Sequence, residues 1–344
     1  MLSRANPCLA LERRGKTLFL AMGGGGDVAM AATLALSYER CGGEALIGSI
    51  AWERYVVDPL PGPIAVDELV NTVEKGEGYA IVDRWTFALR GGRVVIPQAV
   101  NVSIALGRRV FVLDITRGPR GLARTLEQLK NMYGIDTIIG VDVGGDAIAE
   151  GLEESLWSPL ADAIVAAALA HIEGSLIAIS SPGADGELPP EYVERRIRRI
   201  ARLGGYVGGY ILSQQDLEVL KRILGMVVSE ASSVPLRVLD TDLDMITIRK
   251  ESRAVRISLM NLAVFLLDAI RAVRDSLARY VYDTSSFNEA RWILNKLTIA
   301  TEYDVEEEVF KELASSGSYT SLNLVRIRND IRKRLAMLHI ALPT

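Results

Sequence analysis

Thr17-Leu18-Phe19-Leu20-Ala21-Met22-Gly23-Gly24-Gly25-Gly26-Asp27 and Thr137-Ile138-Ile139-Gly140-Val141-Asp142-Val143-Gly144-Gly145-Asp146 carry the reading of this chain. Each is a short apolar run that empties into glycines and aspartates. Such runs suit strands buried on both faces of a parallel sheet. In an open α/β sheet the carboxyl ends of parallel strands share one edge, and ligands settle where the strand order reverses. Glycines let a ligand approach backbone N–H groups. Aspartates in the same turns bind metal, accept from hydroxyls or act as bases.

Outward from these turns, strand-like and helix-like runs alternate from residue 15 to about 240. This is the pattern of a doubly wound, mostly parallel, Rossmann-like α/β domain. Expected strands are Thr17–Met22, Ala45–Ala51, Tyr79–Asp83, Arg109–Ile115, Thr137–Val141, Leu176–Ser180 and Tyr206–Leu212. Helices are expected over Val28–Cys41, Gly121–Tyr133, Pro159–His171, Pro190–Leu203 and Gln214–Ala231, the last opened by a Ser213/Asp216 capping box. Beyond Val234-Pro235 the character changes. Residues 241–344 read as a C-terminal extension: a hairpin turning at Lys250-Glu251-Ser252-Arg253, then helices over Leu259–Tyr280, Phe287–Ala300 and Leu322–Leu338. The 259–280 pattern is apolar on several faces, which predicts burial or a homo-oligomer contact.

Composition narrows the chemistry. A net charge of -4 over 344 residues gives no global positive field for nucleic acid or an anionic membrane. No run is long enough to span a bilayer, and Met1–Arg14 lacks the apolar core of a secretory signal. Two cysteines, Cys8 and Cys41, are too few for a disulfide framework and fit a reducing cytoplasm. With only His171 and His339, a His-rich metal site or a Ser-His-Asp hydrolase is hard to assemble, so carboxylates must carry proton and metal chemistry. The 31 Arg against 8 Lys, and the scarcity of Gln and Asn, suit a heat-adapted source.

Those carboxylates gather at expected strand ends: Asp27, then Glu53 with Arg54 and Asp58, then Asp114, Asp142 with Asp146, and Asp185 with Glu187 beyond Gly183. Parallel strands would bring them to one edge, where their repulsion calls for a cation, Mg²⁺ or Mn²⁺, or for ligand hydroxyls. Asp142 and Asp146 are the expected metal ligands or base. Gly23 to Gly26 and the Gly144-Gly145 turn would cradle an anionic group, and Arg54 would pair with it. The plainer alternative makes Asp27 and Asp146 first-turn helix caps. Gly23-Gly24-Gly25 also opens a dinucleotide fingerprint with Glu53 as ribose acid, but its third glycine falls on Val28. No P-loop sequence occurs.

These motifs, together with Asp58-Pro59-Leu60-Pro61-Gly62-Pro63 and Ser158-Pro159-Leu160-Ala161-Asp162, resemble the Domain of Unknown Function 1152 family, found largely in archaea. The resemblance covers residues 15 to 340. It implies no activity, but it implies one site for the five motifs, and it adds Glu153, Ser158 and Asp162 to the candidates. It assigns no site motif to the C-terminal region.

The expectation is a cytoplasmic enzyme of transferase or hydrolase type. It would act on a small polar metabolite, phosphorylated or nucleotide-like, with a divalent metal as helper. One alternative is a metabolite-binding or regulatory protein without turnover, and another is a nicotinamide-dependent oxidoreductase.

Overall fold

The computed structural model describes residues 8, 9, 11, 15–55, 57–249, 252–316 and 322–340. Lys250 and Glu251 of the expected hairpin turn, and most of Met1–Arg14, lie outside them. The main sheet has nine strands, here β1 Lys16–Ala21, β2 Glu44–Ile50, β3 Glu74–Gly76, β4 Tyr79–Val82, β5 Val110–Leu113, β6 Thr137–Val143, β7 Leu176–Ser180, β8 Tyr206–Ile211 and β9 Ala263–Asp268. Their order is β8-β9-β7-β6-β1-β2-β5-β4-β3. The five central strands β7-β6-β1-β2-β5 are parallel. Antiparallel pairs flank them on both sides. The α/β, mostly parallel architecture expected from the sequence is therefore present, with the correction that β4 runs against its neighbour β5.

Alternation within β1 builds a core on each face of the sheet. Leu18 and Leu20 point to one side with the helix Pro159–Ala170, and Phe19 and Ala21 to the other with the helix Val28–Arg40. Pro159–Ala170 is buried on every face, which explains its continuous apolar sequence. The expected Ser213/Asp216 capping box is present, with Ser213 N donating to Asp216 Oδ2 at 2.7 Å.

Two expectations about elements change. The apolar run expected as part of a helix over 259–280 is strand β9, followed by the short helix Ala269–Asp275. A short apolar run does not reveal its period, and here pairing with both β7 and β8 decides it. Its apolar residues are covered within the chain's own sheet, so they no longer argue for a homo-oligomer. The segment after residue 240 also contributes more than an extension, since β9 lies inside the main sheet. Second, Gln214–Ala231 divides into Gln214–Leu224 and Glu230–Asp240, and Pro235 sits inside the second helix rather than ending it. Arg196 faces inward from the helix Pro190–Arg202. It is 4 % exposed and pairs with Asp275 at 2.9 Å and Glu150 at 2.6 Å.

Cys8 and Cys41 form a disulfide, which corrects their reading as free thiols of a reducing compartment. Disulfides do occur inside cells of heat-adapted organisms. No helix among the described residues is long and apolar enough to cross a membrane.

Candidate functional site

Strand β1 pairs with β2 on one side and with β6 on the other, so the chain order reverses between β1 and β6. The carboxyl ends of these two strands deliver Asp27 and Asp142. Asp142 is fully buried, and its two oxygens accept from Gly145 N at 3.2 Å and Ala147 N at 3.1 Å. It thereby shapes the turn that carries Asp146. Gly144 and Gly145 take φ of 127° and 114°, and a Cβ on Gly144 would run into the Asp185 carboxyl. Asp27 stands at the N-cap of helix Val28–Arg40 without a capping hydrogen bond and accepts instead from Gly23 N at 3.2 Å. Asp146 turns to Asp142. The plain capping role is thus not the one these two residues play.

Six carboxylates form two adjoining triads. Asp27, Asp142 and Asp162 bring oxygens within 4.8 Å of one another, and so do Asp146, Asp185 and Glu187. Asp162 comes from the first turn of helix Pro159–Ala170, and Asp185 and Glu187 from the loop after β7. Each triad holds one buried oxygen without a hydrogen-bond partner, Asp162 Oδ1 and Asp185 Oδ2. The Asp142–Asp146 metal pair expected from the sequence is therefore divided between two groups.

The electrostatics follow from burial first and like charge second. Burial pushes Asp27 and Asp142 up to about 7 and Asp185 up to about 8, with Asp185 adding to the first, Asp27 to the second and Glu187 to the third. Burial and neighbouring aspartates hold Asp146 and Asp162 well above the carboxylate range. Glu187 is the exception. Burial pushes it up, but Arg253, the Ser158 hydroxyl and the N–H groups of Trp157 and Ser158 hold it below its ordinary value. Arg253 Nη1 lies 2.9 Å from it.

The glycine turn packs against the protein's own side chains. A Cβ on Gly24 would lie 2.7 Å from Arg54 Nη2, one on Gly25 2.9 Å from Glu53 Oε2, and one on Gly23 2.5 Å from Asp27 Oδ2. These glycines are required by close approach within the chain. Arg54 sits 3.6 Å from Glu306 and 4.0 Å from Glu302, which partly neutralise it. Glu53 is 3 % exposed and accepts from Gln98 N at 2.8 Å. Burial, with Asp58 adding, pushes it up to about 7.

The other candidates fall outside the triads. Asp58 is bound to Arg90 at 2.9 Å and shapes the loop through Leu60 N. Glu153 accepts from Glu150 N and Gly151 N, both at 2.8 Å, and from Tyr192. Asp114 caps its own turn through Thr116 N. Gly183 donates from N to Gly144 O at 2.7 Å and joins the two loops. Ser158 reaches the site only through Glu187.

The C-terminal region, to which no site motif was assigned, supplies Arg253, Glu302 and Glu306. Glu302 caps helix Pro159–Ala170 by accepting from Leu160 N and Ala161 N at 2.9 Å. Burial pushes its carboxyl up to about 7 although Arg54 opposes the shift. Glu306 accepts from Trp52 Nε1 and Gly62 N at 2.9 Å. A sequence signal exists: two glutamates one helical turn apart repel on an exposed face, so the pair implies partners elsewhere.

No curated protein and no solved structure matches this sequence. The family described as "Protein of unknown function (DUF1152)" matches residues 18–310, a span that holds both triads, the Gly23–Gly26 turn and the glutamates beside Arg54. The chain belongs to the DUF1152 family.

Proposed function

We propose that the chain is an enzyme of transferase or hydrolase type, acting on a small phosphorylated or nucleotide-like metabolite with the help of Mg²⁺ or Mn²⁺. One observation carries the reading: Asp27, Asp142 and Asp162 converge within 4.8 Å, and Asp162 Oδ1 is buried with no partner. A donor set made only of carboxylate oxygens suits a hard divalent cation. These three residues would hold it, and it would supply polarisation of a phosphoryl oxygen or activation of water. Asp185, pushed up to about 8 beside it, is suited to hold or hand over a proton near neutral pH, and Asp146 is shifted in the same direction. The nicotinamide alternative loses its ribose acid, because Glu53 is buried and already engaged by Gln98.

The test is Mn²⁺ binding followed by electron paramagnetic resonance, on the wild type and on Asp142→Asn and Asp162→Asn, with circular dichroism as the check on folding. Binding should weaken by more than ~100-fold in both variants, and turnover of a panel of phosphate esters and nucleotides should require the ion. Equal Mn²⁺ affinity in wild type and both folded variants would overturn the assignment.

A further inference from the structure

Above the acidic floor the charge changes sign. Trp157, partly exposed, carries two guanidinium groups against its ring, Arg253 at 5.2 Å and Arg328 at 4.6 Å from the centroid. Arg253 begins the second strand of the hairpin Met245–Ile248/Arg253–Arg256, and Arg328 lies on the helix Leu324–Ile340. Arg249, exposed at the hairpin turn, takes a left-handed φ of 54°.

These cations are short of anions. Arg328 is 8 % exposed, and its buried Nε has no hydrogen-bond partner. Its Nη2 donates to neutral acceptors only, the carbonyls of Glu154 and Leu156, the latter at 2.6 Å. No carboxylate pairs with it among the described residues. Among the described residues Arg249 pairs only with the half-exposed Glu230, at 3.6 Å. Glu187 answers Arg253 but is shared with Ser158 and Trp157. The crowding is felt: burial and then Arg332 push Arg328 down to about 10.

We propose that Arg253 and Arg328, both set on Trp157, together with Arg249 from the hairpin turn, form an anion subsite that takes a phosphoryl group. The inference rests on reading the acidic floor as a cation site and gives that site its substrate class, a phosphate ester or anhydride. Planar guanidinium forks match phosphoryl oxygens two at a time. A phosphoryl group offers three acceptor oxygens and close to two charges, enough to satisfy the Arg328 Nε and to relieve repulsion among the three arginines. A ligand with a phosphoryl end on the arginines and its reacting end on the carboxylates would be complementary to both halves.

The competing role for Arg328 is a clamp on the 153–156 loop, a role that Arg332 also fills through the carbonyls of Glu153 and Glu154 at 2.9 and 2.8 Å. Arg332→Gln is therefore the control. Metal-free protein is titrated calorimetrically with inorganic pyrophosphate, and separately with Mn²⁺ alone. Wild type and Arg332→Gln should bind pyrophosphate alike, whereas Arg249→Gln and Arg328→Lys should lose about tenfold or more. All four proteins should bind Mn²⁺ equally. No pyrophosphate binding, or equal binding in Arg249→Gln and Arg328→Lys, overturns the subsite, and Mn²⁺ binding retained there leaves the cation site standing. Arginine-dependent pyrophosphate binding without Mn²⁺ binding upholds the subsite and sinks the cation site.

Discussion

Asp27, Asp142 and Asp162 on one side, and Asp146, Asp185 and Glu187 on the other, are six acids at the same sheet edge, yet the protein treats the two groups differently. In the second, Glu187 receives two backbone N–H groups, a hydroxyl and a guanidinium, and is held ionised. In the first, Asp142 receives two N–H groups, Asp27 accepts from Gly23, and Asp162 Oδ1 receives nothing. Burial raises every one of these carboxyl groups, and donors decide which of them stays charged. In the second triad Glu187 is tied to the chain's own Arg253, while among the described residues no salt bridge reaches the first, which feels Arg54 only at a distance.

Three experiments would break or sharpen this contrast. The largest effect belongs to Glu187→Ala, which strips partners from Arg253, Ser158 and Trp157 at once. Urea denaturation should show a loss of about 3–5 kcal/mol, the range for a buried charge left without its mate. A loss below about 1 kcal/mol would make the hub no different from a surface acid. Next comes pH. Burial raises Asp27, Asp142, Glu53 and Glu302 to about 7 and Asp185 to about 8. The folded state therefore binds more protons than the unfolded chain between the ordinary carboxylate range and about 8, so stability falls as pH rises through that window. The Tm of metal-free protein should drop on the order of 5 °C between pH 5 and pH 8, and Mn²⁺ should restore it at the upper end. A Tm that rises over this range contradicts the charge pattern. The smallest effect is Asp162→Asn, which keeps the shape and removes a repelling charge. Metal-free at pH 8 it should gain ~1 kcal/mol, opposite in sign to the Glu187 change. A loss instead would mean that Asp162 is already compensated.

Much of this arrangement was legible because local sequence carried it. Asp27, Asp142, Asp146, Asp185 and Glu187 follow apolar runs, bounded by glycine turns, that suit buried strands, and parallel strands deliver their carboxyl ends to one edge. What sequence concealed depends on contacts between distant segments. Arg54 looked like a free cation beside glycines, because Glu302 and Glu306 lie some 250 residues further on. Asp58 looked like a site acid until Arg90 took it. Ala263–Asp268 offered an apolar run too short to show whether its period was that of a helix or a strand. Arg253 and Arg328 gained meaning only when the fold set both on Trp157.

The insertion of β9 between β7 and β8 also sets an order of assembly. As the polypeptide is made, β7 and β8 emerge without the strand that joins them, and each presents unpaired N–H and C=O groups along an open edge until residues 263–268 arrive. The arrival of β9 also brings with it the segment that supplies Glu302 and Glu306 to Arg54. A truncated product ending before Ala263 would therefore lose more than its tail: it would expose a sticky sheet margin and leave the Arg54 guanidinium without its two glutamates.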